Sequence, residues 1–477
     1  MRMKKLLVVI AALTLAASVV FLAACGGGSS RTNSRAVSMG TVNTSFSDPP
    51  TCASPAGPYS HVFVTIRDVR VHQGAAAPAT DAGWVDLAPG LSSSPKQIDL
   101  LGAANTQCFL AQLGAQQIQA GSYQQIRVIL LANNMASQVS GNQCGSSAAN
   151  CVVLAADSSV HTLQLSSEAQ TGIKIPSGQI AGGRFTVPAG GTVDLNIDFD
   201  ACASIVVQPN GQFRLKPVLH AGEVSLNTSS ISGKLVDSVT QQPIAGGTAI
   251  VALEQKDAGG VDRVILQTKA DGSGNFTFCP VPTGTYDVVA AAVNGAGVAY
   301  AATVTTGVAQ GTAMGNIPMV AETGANTSQG SITGQVTTAG ASGGTAADIT
   351  LSALEAITGG TLVTVPLVQQ MSATATLATA ADASCPAGTD CASYTLAVPA
   401  ANPNVGAFNS GGTTYTQDTV NPVKYTVDAL AFVPSSGGTA DCSPSEMQAN
   451  TLSGGGNLVV TAGGTATAAT IAFTGCQ

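Results

Sequence analysis

Residues 61–72 read HVFVTIRDVRVH and contain the clearest structural signal in the chain. Their apolar side chains alternate with polar ones, which is the period of a β-strand that buries one face. The aliphatic residues are even-numbered before Asp68 and odd-numbered after it, and this change predicts a β-bulge near that residue. The alternating apolar residues are Val62, Val64, Ile66, Val69 and Val71.

Similar alternation, interrupted by Gly, Pro and Ser, extends from about residue 40 to residue 222. Residues 123–131, 160–165 and 193–199 each predict a further strand, whereas residues 107–119 predict one short helix. Because strands and helices do not alternate along this segment, we expect a β-sandwich rather than a parallel sheet.

The composition limits the classes of protein that need to be considered. A length of 477 residues predicts roughly three domains, each large enough for its own core. Charged residues make up 9% and hydrophobic residues 45%, so the chain lacks the composition of a disordered protein. The 18 Lys and Arg residues are outnumbered by 26 Asp and Glu residues, which argues against a nucleic-acid partner.

The first residues have the pattern of an export signal. A basic start with Arg2, Lys4 and Lys5 precedes an apolar run at 6–22 and the tetrapeptide Leu-Ala-Ala-Cys at 22–25. The apolar run is short for a membrane span of about 20 residues, and Gly and Ser follow it instead of charged residues.

This order of features resembles a bacterial lipoprotein signal with its lipobox. The resemblance implies a signal peptide at 1–24, acylation of Cys25 on its sulfur, and a lipidated Gly/Ser tether at 25–39. Several acyl chains on one residue anchor a protein stably, so the expected partner of Cys25 is the membrane. Gly26 stands where Asp would signal inner-membrane retention in enteric bacteria, and this favours the outer membrane of the cell envelope.

A series of motifs in the first segment carries a second resemblance. The motifs lie in order at 61–66, 84–87, 98–101, 120–127, 172–175, 198–202 and 215–218. Together they resemble the bacterial lipoprotein module called domain of unknown function 4382, which implies a sandwich at 40–222. The family has no assigned biochemical activity. Its members share the positions of Cys52 and Cys202, and the resemblance therefore implies a disulfide between these two residues.

The segment 229–320 resembles a carboxypeptidase regulatory-like domain, a seven-stranded transthyretin-type sandwich grouped with carbohydrate-binding-like folds. The motifs that carry this resemblance lie at 231–237, 242–247, 268–278 and 281–288. The residues make the same prediction independently of the family. Turns with positive φ are expected at Gly272 and Gly284, and two pairs of side chains are expected to share a strand face. The pairs are Phe276 with Phe278 and Tyr286 with Val288.

The segment 329–477 predicts a third sandwich that is a diverged copy of the second. Residues 331–336 repeat the pattern of 230–235, and residues 423–430 repeat that of 284–289. Insertions rich in Ala, Thr and Gly separate the two similarities. The predicted fold class is therefore all-β, with three β-sandwich modules in tandem.

Eleven cysteines in a chain of such low charge indicate an oxidising compartment. With Cys25 assigned to lipid, two close pairs and one C-terminal pair are predicted to form disulfides. These pairs are Cys144–Cys151, Cys385–Cys391 and Cys442–Cys476. Zinc is the alternative for the close pairs, but neither pair has Cys-x-x-Cys spacing or a nearby His. Cys108 and Cys279 remain, either as an inter-domain bridge or as free thiols.

Residues with catalytic or ligand-binding chemistry are few. The carboxylates of Asp194, Asp198 and Asp200 alternate along one strand, so they point to one side and suit either a hard cation such as Ca²⁺ or a capped strand end. We prefer the capped strand end. The four histidines are interpreted as surface or strand-edge residues: His61, His72, His161 and His220.

The aromatic residues are interpreted mainly as core residues, with ligand binding as the alternative for Trp84. Trp84 is the one Trp and would be the leading ligand contact if exposed, but a place in the core is the more frequent outcome. Tyr123 and Tyr286 follow Gly-x at strand starts and are predicted to be core anchors.

The sequence contains no Gly-x-Ser-x-Gly elbow, His-Glu-x-x-His helix or phosphate-binding loop, and we predict neither enzymatic activity nor a cofactor or metal. The expected function is that of a lipid-anchored cell-envelope protein with a surface structural, adhesive or ligand-recognition role. The first alternative is an outer-membrane carbohydrate-binding module with polysaccharide as partner. The second is an accessory component of a hydrolase system.

Overall fold

The structure is a computed structural model, and its regular structure is almost entirely β, as the alternating sequence predicts. It describes residues 38–47, 58–103, 110–165, 168–201, 204–207, 211–224, 230–244, 247–257, 259–339, 347–367, 374–380, 383–418, 423–432 and 441–476. Cys25, Cys52, Cys108 and Cys202 lie outside these ranges. No helix among the described residues is long and apolar enough to cross a membrane.

The strands fall into three groups along the chain. The first group is β1 (Met39–Ser47), β2 (Tyr59–His72), β3 (Val85–Asp86), β4 (Lys96–Asp99), β5 (Ala111–Gln119), β6 (Gly121–Tyr123), β7 (Gln125–Leu130), β8 (Cys151–Leu154), β9 (Val160–Gln164), β10 (Ile173–Ile175), β11 (Phe185–Val187), β12 (Thr192–Phe199), β13 (Ile205–Val207), β14 (Phe213–Leu215) and β15 (Leu219–Val224). The second is β16 (Ile231–Asp237), β17 (Thr248–Lys256), β18 (Val261–Lys269), β19 (Asn275–Phe278), β20 (Thr285–Val293), β21 (Thr303–Ala309) and β22 (Ala313–Met319).

The third group is β23 (Gly330–Ala339), β24 (Asp348–Ala356), β25 (Leu362–Val365), β26 (Thr374–Ala378), β27 (Thr389–Val398), β28 (Asn404–Ala407), β29 (Thr416–Gln417), β30 (Tyr425–Phe432), β31 (Asp441–Ala449), β32 (Thr465–Thr467) and β33 (Ile471–Phe473). The described helices are short: α1 (Leu100–Ala103) and the 3₁₀ turns Pro89–Ser92, Asn133–Gln138, Ser177–Gln179 and Ala181–Gly183.

The first sandwich contains two main sheets. Strands β15, β12, β1 and β5 form the smaller sheet in that order, with β1 and β12 parallel. The larger sheet runs β10-β7-β2-β8-β9-β14-β13, and β3 and β4 pair with the long strand β2. Apolar side chains of both sheets meet in one core, to which Val64, Ile126, Leu195 and Phe199 contribute.

Strand β2 contains the predicted bulge. Its register with β7 shifts between Ile66 and Asp68, so Arg67 is the extra residue. The shift lets Ile66 and Val69, on positions of opposite parity, both point into the core with no exposed surface. The alternation of the sequence and the bulge are therefore both confirmed.

The short helix predicted at 107–119 is wrong for the described part of that segment. Residues Ala111–Gln119 form the extended strand β5, which pairs with β1 over its length. Ala111 and Ile118 are buried, whereas Gln112 and Gln119 are exposed. The edge of β1 supplies hydrogen-bond partners for the whole segment, and this tertiary pairing outweighs the weak local preference of the sequence.

The second sandwich packs the sheet β19-β16-β22 against strands β18, β17, β20 and β21. Phe276 and Phe278 are buried with ring centroids 5.7 Å apart, and Tyr286 and Val288 are buried in the facing sheet. The predicted shared faces of both pairs are therefore confirmed.

The turn glycines of this sandwich differ from the prediction. Positive φ occurs at Gly274 (78°), whereas neither Gly272 nor Gly284 adopts it. Asp271 closes the turn itself, because its Oδ1 accepts the N–H groups of Ser273 and Asn275 at 2.8 Å each. The chain needs left-handed backbone only at the last residue of the turn, where a Cβ would collide with the carbonyl oxygen of Leu235.

The third sandwich repeats the strand order of the second. Strand β23 lies between β27 and the parallel pair β32 and β33, as β16 lies between β19 and the parallel strand β22. In the facing sheet the order β25-β24-β30-β31 corresponds to β18-β17-β20-β21. Gly233 lies opposite Phe276 and Gly334 opposite Tyr394, and in both cases the aromatic ring covers the glycine. The topology thus agrees with the predicted repeat.

The second and third sandwiches share one continuous sheet, which the sequence did not predict. Strands β18 and β25 pair in parallel, and this joins the two sheets edge to edge. At the opposite edge of the second sandwich, β28 of the third group pairs in parallel with β21, and β29 extends the sheet further. Both edges of the sheet β18-β17-β20-β21 are therefore covered by strands of the third group.

Candidate functional site

An acidic cleft lies where the first and second sandwiches meet. Its walls are the turns at 177–183 and the strands β17, β18 and β20, and its volume is about 590 Å³. Because Glu254 lies directly opposite Asp287 across β17 and β20, the strand register brings their carboxylates to one side. Asp262 reaches the same cleft from β18.

Two of these carboxylates are buried and only partly satisfied. Glu254 has no exposed surface; its Oε2 accepts the backbone N–H of Thr364 at 3.0 Å, but its Oε1 has no partner in the described structure. Asp262 is 1% exposed, and its Oδ2 likewise has no partner among the described atoms. Asp287 is half-buried and accepts the N–H of Gly307 at 2.9 Å.

Burial changes the titration of these groups. Desolvation raises the pKa of Glu254 well above its ordinary value, and the charge of Asp262 raises it further. Desolvation, followed by the charge of Asp287, raises the pKa of Asp262 to about 7. The cleft is therefore a place where protons, or another cation in their place, reduce the repulsion between carboxylates.

A fourth carboxylate in the cleft already has its cation. Asp257 Oδ2 receives Arg263 Nε at 3.0 Å, and the same guanidinium contacts Asp428 at 2.5 Å and Glu446 at 2.6 Å. Burial and the Arg263 contact act in opposite directions, and the net effect is a lowered pKa of Asp257. This ion-pair network joins the second sandwich to β30 and β31 of the third.

This cleft was not predicted from the sequence. The available signal was a charge within each of three apolar strands: Glu254 ends the run AIVALE, and Asp262 and Asp287 interrupt their strands. Charged side chains in strands are ordinarily placed on a solvated face. Only the neighbouring turns at 177–183 and strand β25 convert that face into a buried one.

The three predicted aspartates do not form a cation site. Asn43 donates to Asp194 at 2.7 Å and Ser47 to Asp198 at 2.7 Å, each from the register position opposite on β1. Asp200 receives the side chain of Gln267 from the second sandwich. No group of three Asp, Glu, His or Cys side chains among the described residues is arranged to hold a metal ion. The carboxylates thus accept side-chain donors where we expected backbone N–H groups.

Trp84 is neither fully exposed, as a ligand contact would be, nor part of the main core. It is half-buried, its indole N–H donates to the carbonyl of Pro78 at 2.8 Å, and it lies outside the main core. The ring centroid is 5.2 Å from that of His72 and 5.1 Å from the guanidinium carbon of Arg127. A cation–π contact therefore fixes the ring, and its part in ligand binding stays a prediction.

The histidines lie near strand ends, as expected. His61 contacts Asp99 at 2.7 Å, His72 contacts Asp81 at 3.2 Å, and His161 contacts Ser159 at 2.8 Å. Desolvation lowers the pKa of His220 in β15 to about 4, so this ring stays neutral at physiological pH.

The structure contains three of the predicted disulfides, Cys144–Cys151, Cys385–Cys391 and Cys442–Cys476. Cys279 is also disulfide-bonded, which removes the alternative that it is a free thiol. The predictions for Cys25, Cys52, Cys108 and Cys202 fall outside the described residues.

Comparison with known proteins identifies the first sandwich. Residues 39–217 match the family described as Domain of unknown function (DUF4382). The first sandwich contains a DUF4382 domain. This confirms the resemblance of the first segment to domain of unknown function 4382, while the lipoprotein signal and the carboxypeptidase regulatory-like domain stay predictions. No curated protein matches the chain.

Several solved structures have a distant likeness to this chain. The Bacillus anthracis TIE protein is 10% identical with a TM-score of 0.16, over 92% of this chain and 51% of that one, so the chain spans about half its length. A DUF3823 family protein from Bacteroides uniformis is 11% identical with a TM-score of 0.16, over 46% and 98%. Shaft pilin SpaA from Lactobacillus rhamnosus is 11% identical with a TM-score of 0.18, over 60% and 98%. At these scores the likeness carries no argument about function.

Proposed function

We propose that the chain is a non-enzymatic, lipid-anchored protein of the bacterial cell envelope that holds a rigid array of β-sandwiches at a membrane surface. The observation that carries this proposal is the continuous sheet formed by β18 with β25 and by β21 with β28. A protein of independent modules would leave these edges free, whereas edge pairing fixes the relative orientation of two sandwiches.

Contacts between the first sandwich and the other two also support a rigid array. Arg214 of β14 forms a buried ion pair with Asp348 of β24, and Nη1 lies 2.7 Å from Oδ2. The N–H of Thr283 donates to the carbonyl of Glu223 at 2.8 Å. A buried ion pair disfavours arrangements in which either partner is alone, so it favours one orientation of the first and third sandwiches, which suits a structural or adhesive role.

Acylation of Cys25 supplies the membrane attachment in this proposal and is tested by fractionation. The full chain expressed in a bacterium with lipoprotein processing should sediment with membranes and incorporate labelled palmitate. The Cys25→Ser variant should lose the label. Equal incorporation of palmitate by both forms, or none by the wild-type chain, would contradict the lipid anchor.

Rigidity is tested separately by single-molecule stretching. We expect the second and third sandwiches to resist as one unit, because their shared sheet must break before either separates. Three independent unfolding events of similar force would contradict the structural role.

Carbohydrate recognition is the second candidate, and the half-exposed ring of Trp84 favours it. Sugar rings stack on aromatic faces, and Arg127 holds this ring in place. Binding on a glycan array that is lost in Trp84→Ala would support this function. No binding by the wild-type chain would exclude it.

A further inference from the structure

We propose that the acidic cleft between residues 177–183 and strands β17, β18 and β20 binds an aliphatic amine through its ammonium group. The inference goes beyond the proposed envelope role and does not depend on the membrane anchor. It starts from Glu254 and Asp262, two buried side chains that line the cleft and each keep one oxygen without a donor.

An unpartnered buried carboxylate oxygen is costly, and a donor that enters from the cleft would remove that cost. The two carboxylates come from different strands, yet both reach the same cleft. Asp287 lies opposite Glu254 in the β17–β20 register and adds a third acceptor. A primary ammonium group has three N–H donors, so it can satisfy oxygens of more than one of these carboxylates.

The charge around the cleft also favours a cation. Of the four lining acids, Asp257 is matched by Arg263. The remaining three face one basic lining residue, Lys256, which is exposed and lies opposite Asp262 in the β17–β18 register. The surplus of acidic groups over basic groups therefore lies at the buried end of the cleft.

The size and walls of the cleft favour an organic cation over a bare metal ion. A volume of about 590 Å³ is in the range of small-molecule sites and exceeds what one ion requires. Ile180, Ile265 and Tyr286 line the cleft beside the carboxylates and offer apolar surface for a carbon chain.

The turn at Ala181–Gly183 is held against the second sandwich, so the cleft has a defined wall. The N–H of Gly182 donates to Oε1 of Gln255 at 3.1 Å. Thr364 of β25 holds Glu254 from the opposite side. The first sandwich thus fixes one wall and the third sandwich holds one acceptor before a ligand arrives, which reduces the entropy lost on binding.

Calorimetric titration of the full chain with 1,5-diaminopentane tests the proposal, with 1,5-pentanediol as the neutral ligand of equal length. We expect saturable binding of the diamine and none of the diol. Glu254→Gln and Asp262→Asn should each weaken binding at least tenfold. Asp271→Asn changes a carboxylate in an exposed turn of the same sandwich, outside the cleft, and should leave binding unchanged.

Three results would overturn the proposal. These are equal binding of diamine and diol, diamine binding that is insensitive to both cleft variants, and binding of Ca²⁺ but not the diamine in a manner that needs Glu254. Thermal unfolding of each variant verifies that it is folded. Asp287→Asn, at a half-buried position, supplies an independent variant with the same expected loss of affinity.

Discussion

At the scale of single residues, three buried tyrosines show how this chain combines apolar burial with a satisfied hydroxyl. Tyr123, Tyr286 and Tyr425 are each 1% exposed. Their hydroxyls donate to backbone carbonyls of Gln119 at 2.8 Å, Pro282 at 2.6 Å and Pro399 at 2.8 Å. The prediction that Tyr123 and Tyr286 are core anchors is therefore confirmed, and the hydrogen bond explains why Phe does not stand in their place.

A matched pair of substitutions measures how much this hydrogen bond contributes to the free energy of unfolding. Tyr286→Phe leaves the carbonyl of Pro282 without that donor, and we expect the free energy of unfolding to fall by about 1–2 kcal/mol. Tyr394 is also buried, but its hydroxyl has no partner among the described atoms. Tyr394→Phe should therefore be neutral or stabilising in the same denaturant titration. Equal losses in both variants would contradict the assignment.

The raised pKa of Asp198 predicts how the free energy of unfolding depends on pH. Burial raises its pKa to about 8, and Asp200 adds to the effect, although the Ser47 hydroxyl acts in the opposite direction. A raised folded-state pKa means that the folded state binds the proton more tightly, so its contribution to stability is complete below about pH 4 and lost as pH rises through about 8.

We expect Asp198→Asn to remove this part of the pH dependence. The amide oxygen still accepts from Ser47, and the variant should be more stable than wild type above pH 8 by a few kcal/mol at most, since each pKa unit corresponds to about 1.4 kcal/mol. Unfolding in denaturant from pH 4 to pH 9 measures the difference. Parallel curves for variant and wild type would show that Asp198 titrates normally.

At the scale of elements, strand edges determine structure that local sequence leaves ambiguous. The edge of β1 holds residues 111–119 as a strand, and the edge of β21 recruits β28 from the third group. The N–H groups of Asn404 and Phe408 donate to Ala302 and Thr306 at 2.8 Å each. Phe408 and Tyr415 then pack against the core of the second sandwich.

Phe408→Ala tests whether β28 protects the edge of the second sandwich. Loss of this partly buried ring should destabilise the protein by about 1–3 kcal/mol. Hydrogen exchange should accelerate in β21 and stay unchanged in β1, which lies in a different sandwich. If the exchange of β21 is unaffected, β28 does not protect that edge.

At the scale of the whole molecule, buried charge joins the sandwiches. Arg214 and Asp348 are 8% and 2% exposed and belong to different sandwiches. Burial lowers the pKa of the neighbouring Lys216 to about 8, although the charge of Asp348 raises it. A buried ion pair contributes little net stability but strongly disfavours arrangements in which either partner is alone. The pair therefore specifies how the first and third sandwiches dock.

Asp348→Ala should destabilise the chain by about 3–5 kcal/mol, because it leaves the guanidinium of Arg214 buried without its carboxylate. The double variant Arg214→Met, Asp348→Leu should recover most of the loss. Denaturant unfolding of wild type, both single variants and the double variant gives the coupling energy. Additive losses would show that the two residues do not interact.

Much of the fold was predictable from the sequence because its signals are local. Alternation at 61–72 predicts a strand with one buried face, and the parity change at Asp68 predicts the bulge. Close spacing predicts the disulfide Cys144–Cys151. The helix predicted at 107–119 failed because pairing with β1 is a long-range contact that local preference does not report.

By itself, the sequence determined the all-β class, the DUF4382 domain and several strands, among them β2, β7 and β12, because side-chain alternation and turn residues act over a few neighbours. Only the tertiary structure decided that β18 pairs with β25 and that Glu254 and Asp262 are buried beside the turns at 177–183. Those outcomes depend on which free strand edges and uncovered sheet faces meet. For β18 and β25, the paired residues lie about a hundred positions apart in the chain. The pattern within a single strand does not specify a pairing over that separation.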